Sequence, residues 1–314
     1  MKKLFLVLAA AFAMVACQTD INEVGVVADG VAAVEFEVGA PQMRAYSDGS
    51  TATVLQYAVY EVKADQPLNY LENLAYETKT LEGGAANVQL ELANNKKYAV
   101  IFWASASVDG PYTFVPAEKK VTVDYTNAVC NDESRDAFYA YKEFEVKGAA
   151  TLRVELRRPF AQVNVGTSDL AAAQNSGFNP STSALVVKNV FSTLNLVDGT
   201  ASDNVDVVTF GEANVPNLAE ETFPVTGHDY LAMSYVLVGK DKASYDVVYT
   251  IKAEDNTVIT NTIGAVPMQA NYRTNIYGKL LTSTTDINVE IKPGYSDDNK
   301  YEIIDGKGNK PCRR

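Results

Sequence analysis

The chain has 314 residues, of which 47% are hydrophobic and 21% charged, and its formal net charge is −12 at pH 7. This composition is typical of a globular protein with enough apolar residues for one large or two ordinary cores, and it excludes a disordered chain. The acidic balance and the lack of a basic stretch argue against a nucleic-acid partner.

The first residues have the pattern of an export signal. Lys2 and Lys3 precede an apolar run over residues 4–15, as in a secretory signal peptide. A transmembrane helix needs about 20 apolar residues, so the run is too short for one. It ends in Met-Val-Ala-Cys at 14–17, which resembles the lipobox of bacterial lipoproteins. That resemblance implies a diacylglyceryl lipid with palmitate-like chains on Cys17, which anchors the chain in the outer membrane. The alternative is an ordinary signal peptide followed by an incidental cysteine.

After Cys17, apolar and polar residues alternate with the two-residue period of half-buried strands, and valine, tyrosine, phenylalanine and threonine are frequent. Turn residues separate short segments of this kind, which predicts an all-β fold of antiparallel β-sandwiches. The predicted strands are 34–38, 54–62, 88–92, 98–103, 119–123, 144–146, 151–156, 160–165, 184–197, 230–238, 245–252, 257–263, 272–281 and 287–291.

The polar stretch 198–204 lies between two strand-rich regions, and we predict a domain boundary there. A short helix is predicted at 168–175, capped by Ser168 and ended by Gly177. The predicted organisation is a signal peptide at 1–16, a lipidated leader with the first strand at 17–44, two tandem β-sandwich domains at 45–200 and 201–292, and a tail at 293–314.

Few residues have the chemistry of catalysis or metal binding. His228 is the single histidine, and no second His or Cys lies close to it in sequence. We therefore interpret it as a turn residue rather than a metal ligand or general base. Asp203 and Asp206 lack the glycine and the distal glutamate of a calcium loop. We expect no enzymatic activity, no metal and no cofactor.

The two cysteines beyond Cys17 are Cys130 and Cys312. In an oxidising compartment they could form a disulfide, or they could remain two separate thiols. Their spacing in sequence does not decide between these alternatives, because a disulfide depends on distance in space.

A strand pattern at 31–38 is followed at 39–49 by a loop that contains Arg44. This arrangement resembles the fimbrillins, the type V pilins. In that family a lipidated precursor reaches the outer membrane, and an arginine-specific surface protease removes the leader together with the first strand. The resemblance implies cleavage between Arg44 and Ala45. The alternative is that Arg44 is a solvated residue of a linker.

The likeness to the fimbrillins continues in the body of the chain, at 152–165, 190–199, 270–281 and 287–291. It implies transthyretin-like sandwich domains and assembly by strand exchange, with the donor commonly a C-terminal strand of the neighbouring subunit. If Val34, Phe36 and Val38 face inward, removal of their strand opens an apolar groove. In the tail, only 301–304 is strand-like, which fits an accessory, tip or anchor subunit, or a non-polymerising relative.

The sequence supports two functional hypotheses. The first is a fimbrial subunit or accessory protein of a Gram-negative cell surface, which acts in adhesion. Its partners are the outer membrane through Cys17, other fimbrial subunits and a surface receptor. The second is a non-polymerising outer-membrane lipoprotein that binds a glycan or peptide on exposed aromatic residues.

Overall fold

The computed structural model describes residues 30–40, 49–74, 78–216, 222–283 and 287–293. The helix α1 (Leu170–Asn175) lies within the predicted segment 168–175, with Asp169 rather than Ser168 at its N-cap. Short 3-10 turns occur at Glu72–Leu74, Pro116–Glu118 and Glu133–Arg135. The strands are β1 (Val31–Gly39), β2 (Val54–Val62), β3 (Asn69–Tyr70), β4 (Thr78–Thr80), β5 (Ala85–Ala93), β6 (Lys97–Ser105), β7 (Tyr112–Val115), β8 (Lys120–Val123), β9 (Phe138–Glu145), β10 (Ala150–Glu155), β11 (Phe160–Thr167), β12 (Pro180–Asn195), β13 (Ala201–Asn214), β14 (Asp229–Leu237), β15 (Ala243–Ala253), β16 (Val258–Met268), β17 (Tyr272–Gly278) and β18 (Ile287–Pro293).

These strands form four sheets. Sheet I has the order β10-β1-β5, and sheet II has the order β3-β2-β6-β9 with β4 also paired to β2. Sheet III has the order β14-β11-β17-β18, and sheet IV has the order β16-β15-β12-β8-β7 with β13 also paired to β12. The all-β prediction is confirmed. Most pairs are antiparallel, whereas β1 with β10 and β11 with β17 are parallel.

Three hydrophobic cores lie between the sheets, which therefore stack in the order I, II, III, IV. Phe36 of sheet I and Phe102 of sheet II belong to the first core. The second core joins sheets II and III, and β7 and β8 of sheet IV close one side of it. The third core lies between sheets III and IV and contains side chains of β11, β12 and β15. A continuous series of cores thus connects the first sandwich, formed by sheets I and II, with the second sandwich, formed by sheets III and IV.

The inner strands of this stack are apolar on both faces. In β6, Val100 and Phe102 point into the first core, and Ile101 and Trp103 point into the second. Every residue of β6 after Lys97 is buried. A strand covered on both sides has no solvated face that would favour polar residues, so its sequence is a nearly unbroken apolar run.

An ion pair lies where the chain passes from the first sandwich to the second. The Arg158 guanidinium donates to both carboxylate oxygens of Asp136, and both side chains are 1% exposed. Arg158 also lies over the rings of Phe138 and Tyr235, at 4.8 and 5.5 Å from their centroids. Since Phe138 belongs to sheet II and Tyr235 to sheet III, this pair links the two sheets.

The predicted domain boundary at 200/201 is wrong. Strands β12 and β13 form a hairpin across it, with Leu194 paired to Ala201, so both strands belong to sheet IV. The Asn195 side chain accepts hydrogen bonds from the backbone of Val197 and Asp198, which shapes the turn. The chain instead leaves sheet I after β10 and enters sheet III at β11, while β7 and β8 already belong to sheet IV. Polar turn residues mark a hairpin and a linker alike, which explains the error.

We predict that Asp136→Ala lowers the free energy of unfolding by about 3–5 kcal/mol, because it leaves the Arg158 charge buried without its carboxylate. Denaturant unfolding measures the loss. The matched control is Glu145→Ala, which removes an exposed pair with Lys147 at 3.2 Å and should change the free energy by less than about 1 kcal/mol. Equal effects of the two substitutions would contradict a linking role for the buried pair.

Candidate functional site

Strand β1 holds sheet I together. It pairs antiparallel with β5, from Val31 opposite Ala93 to Gly39 opposite Ala85. On its other edge it pairs parallel with β10, from Val34 opposite Ala150 to Gly39 opposite Glu155. Because β1 separates β5 from β10 in this sheet, its removal leaves a gap with backbone donors and acceptors along both sides.

The inward side chains of β1 fill an apolar groove. Ala32, Val34, Phe36 and Val38 are between 0 and 6% exposed, so the condition that the last three face inward is met. Burial of each large apolar side chain contributes about 1.5–3 kcal/mol. The strand is therefore held by side-chain packing as well as by its backbone hydrogen bonds.

Aromatic rings surround the centre of this groove. The Phe36 ring lies 5.6 Å from Phe102 in a tilted arrangement and 5.2 Å from Phe144 in an edge-on arrangement. Phe144 stacks on Tyr98 at 6.1 Å, and Phe102 contacts Tyr57 at 6.2 Å. We name these four rings of Tyr57, Tyr98, Phe102 and Phe144 the aromatic socket. The sequence predicted their strands, but no local signal indicated that they meet around Phe36.

The outward face of β1 is acidic. Glu37 accepts a hydrogen bond from Arg153 Nε of β10 at 2.9 Å. The Arg153 and Glu37 side chains are 90% and 46% exposed, so water screens the pair. Glu35 points the same way and lies opposite Thr151 and Gln89. The contact of Arg153 with β1 cannot be predicted from the sequence, because neither strand alone determines the register of a parallel pair.

Both ends of β1 are tied to neighbouring backbone. The Asn94 amide donates to Gly30 O at 2.7 Å, the Leu156 amide donates to Gly39 O at 2.9 Å, and the Ala40 amide donates to Gly84 O at 2.7 Å. The predicted processing residues Arg44 and Ala45 fall in the segment 41–48, outside the described residues. The lipidation residue Cys17 also lies outside them.

Cys130 is a buried thiol in the core between sheets III and IV, 1% exposed. Its sulfur lies 3.9 Å from the Phe210 carbonyl oxygen, and the Ser234 hydroxyl donates to it at 3.8 Å. Burial raises its pKa to about 12. Cys312 lies outside the described residues, so the disulfide between these two cysteines stays a prediction.

His228 lies at the margin of a shallow depression with a cavity volume of about 410 Å³. Its Nδ1 lies 3.2 Å from the Thr226 carbonyl oxygen, and its ring contacts Tyr277 edge-on at 5.0 Å. Lys279 and Asn288 also line the depression. Within the described ranges, no group of three or more His, Cys, Asp and Glu residues could hold a metal ion.

No helix among the described residues is long and apolar enough to cross a membrane.

The sequence profile of a family of unknown function (DUF6562) matches residues 28–308 of this chain. The chain belongs to this family. The match begins shortly before β1 and includes all four sheets, so the strand that fills the groove is part of the family's common sequence. No curated protein matches the chain in sequence.

Solved structures similar to this chain include two candidate cell adhesion proteins and a tip fimbrial protein. A candidate cell adhesion protein from Bacteroides ovatus is similar over 86% of this chain and 100% of its own, with 10% identity and a TM-score of 0.51. A second candidate cell adhesion protein, from Bacteroides uniformis, is similar over 84% of this chain and 96% of its own, with 12% identity and a TM-score of 0.48. The tip fimbrial protein Mfa3 from Porphyromonas gingivalis, with a C-terminal truncation, is similar over 83% of this chain and 98% of its own, with 10% identity and a TM-score of 0.49. The Bacteroides ovatus structure supports the all-β fold.

We predict that the Cys130 thiol of the folded chain reacts with a thiol reagent at pH 8 about a thousandfold more slowly than a free cysteine, because its raised pKa leaves little thiolate. A chain that starts at Gln18 and carries Cys312→Ser has Cys130 as its one cysteine. The increase in absorbance as the reagent releases its chromophore measures the rate of reaction. The same chain unfolded in guanidinium chloride is the control, and equal rates in the two states would contradict burial of the thiol.

Proposed function

We propose that this protein is a cell-surface lipoprotein that serves as a structural or accessory subunit of an adhesive fibre. It joins another subunit by exchange of β1. The observation that carries the proposal is the position of β1, which is the first described strand of the chain and yet lies in the middle of sheet I between β5 and β10.

Loss of β1 would create a strong acceptor for another strand. The edges of β5 and β10 would lose their backbone partners, and the aromatic socket would lose Phe36. An open sheet edge beside an apolar groove binds an extended segment through main-chain hydrogen bonds and alternate side chains. A strand from a neighbouring subunit restores both kinds of contact.

The position of Arg44 makes release of β1 selective. Arg44 is the one Lys or Arg in the sequence between Lys3 and Lys63. A protease that cuts after basic residues therefore separates β1 from β2 at this residue without cutting either strand. The strand would then be held by noncovalent contacts alone, and the lipid on Cys17 would stay with the removed segment.

The comparison with the Bacteroides ovatus structure supports the adhesive part of the proposal, because that protein of similar fold is a candidate in cell adhesion. The net charge of −12 suits a soluble surface protein and does not favour nucleic acid. The proposal assigns the chain no chemical reaction. The location of the protein on the outer membrane and the lipid on Cys17 are parts of the same proposal.

We predict that limited trypsin treatment cuts the exported chain after Arg44 and converts monomers into oligomers that persist in mild denaturant, because the opened groove takes a strand of another copy. N-terminal sequencing identifies the cut, and gel electrophoresis without boiling detects the oligomers. Arg44→Gln should abolish both, whereas Lys63→Gln, at the next basic residue, should leave both unchanged. A chain that is cut after Arg44 and stays monomeric would contradict assembly by strand exchange.

A second candidate function is glycan binding by a chain that stays anchored. The observation in its favour is the depression beside Tyr277 and His228, which offers an aromatic wall next to the polar side chains of Lys279 and Asn288. If this is the function, Tyr277→Ala weakens saturable polysaccharide binding about tenfold, since it removes the ring on which a sugar packs. Affinity electrophoresis in gels that contain the polysaccharide measures the strength of binding. Tyr272→Ala, on the same strand but the opposite face, is the control, and equal losses would contradict this site.

A further inference from the structure

We propose that the groove occupied by β1 selects its incoming strand by two adjacent side chains. The strand belongs to a neighbouring subunit and carries an aromatic residue at the position of Phe36 and a carboxylate at the position of Glu37. This inference rests on the proposed function, because it requires that β1 can be replaced.

The aromatic requirement comes from the size of the socket. Phe36 is fully buried, and its ring contacts Phe102 and Phe144. An incoming strand with a small side chain at this position leaves a void of nearly one ring. Such a cavity strongly weakens packing, because the surrounding side chains collapse only in part.

The same socket sets the register of the strand. Val34 and Val38 flank Phe36 on the inward face, and both are smaller. A slip of one residue turns the outward glutamates into the core. A slip of two residues puts the aromatic ring into a space that fits valine and leaves the socket underfilled. Only one register therefore satisfies the groove.

The carboxylate requirement comes from Arg153 on β10. When β1 leaves, this cation remains at the rim of the groove, beside the position of Glu37. The other outward position, that of Glu35, lies between Thr151 and Gln89, which are uncharged. Charge is therefore recognised at one outward position and hardly at the next.

The adjacent pair also distinguishes the two directions of a strand. In the direction of β1, a carboxylate that follows the aromatic residue lies beside Arg153. In the reverse direction, with the aromatic residue still in the socket, the following residue lies at the position of Glu35 instead. The ion pair thus favours the orientation parallel to β10, although its exposure makes this preference modest.

Peptide exchange tests this selection on the whole chain. In the exported chain, a recognition sequence for a site-specific protease replaces residues 41–48, so that cleavage leaves β1 bound but no longer covalently attached. A fluorescent peptide with the sequence of residues 30–40 then exchanges for β1, and unlabelled variants compete with it. Fluorescence anisotropy gives the relative affinities.

We expect a peptide with Phe36→Ala to bind at least about 100-fold more weakly than the unchanged peptide. Glu37→Lys should weaken binding about three- to tenfold at low salt and much less at 1 M salt. The matched control, Glu35→Lys, should change the affinity less than about twofold. In a chain with Arg153→Gln, the penalty of Glu37→Lys should largely disappear.

The results separate the selection from the proposed function. If the unchanged peptide does not exchange into the cut chain, strand exchange and the selection both fail. If the unchanged peptide and Phe36→Ala bind alike, or if Glu35→Lys weakens binding as much as Glu37→Lys, the selection is wrong while strand exchange stands.

Discussion

Phe36 connects sheet I to the rest of the molecule by inserting its ring among Phe102, Phe144 and their aromatic neighbours in sheet II. The strand that carries it also supplies the pairing on which sheet I depends, because β5 and β10 meet through β1. This strand therefore contributes both packing and hydrogen bonds to the outer layer, beside the apolar side chains of β5 and β10. A replacement strand must meet the same two requirements.

The stacking of the sheets confines the effect of losing this strand to one side of the molecule. Sheet I is the outer layer, whereas the other two cores lie between sheets II, III and IV. Those cores bury both faces of inner strands such as β14, with Leu231 in the third core and Met233 in the second, and they hold most of the large fully buried side chains. Removal of β1 would open the first core and leave the other two closed. An outer layer of this kind suits exchange, since the remaining stack keeps its own apolar contacts.

The described polar groups of the interior mainly hold the framework together. Asp136 and Arg158 pair at the junction of the two sandwiches, and the Cys130 thiol is enclosed between sheets III and IV. A thiol whose pKa is raised to about 12 by burial is a poor nucleophile. These groups serve packing and position.

The alternation of residues in the sequence was sufficient to predict an all-β fold and to place Val34, Phe36 and Val38 on one face of β1, because successive side chains of a strand point to opposite faces. It could not distinguish the hairpin at Asn195 from a linker between domains, since polar turn residues occur in both. Strand β13, the second strand of this hairpin, was not predicted because its exposed residues carry little apolar signal.

Tertiary structure alone decided which strands became neighbours. The Arg153 and Glu37 side chains are separated by 116 positions in the chain and meet at 2.9 Å through the parallel pairing of β10 with β1. Phe144 likewise reaches Phe36 from a strand of another sheet. Local periodicity determines which face of a strand is apolar, but the partner of that face depends on how distant segments share a core. For this reason the sequence by itself indicated most of the strands and which side chains share a face, and the fold determined the socket and the charge beside it.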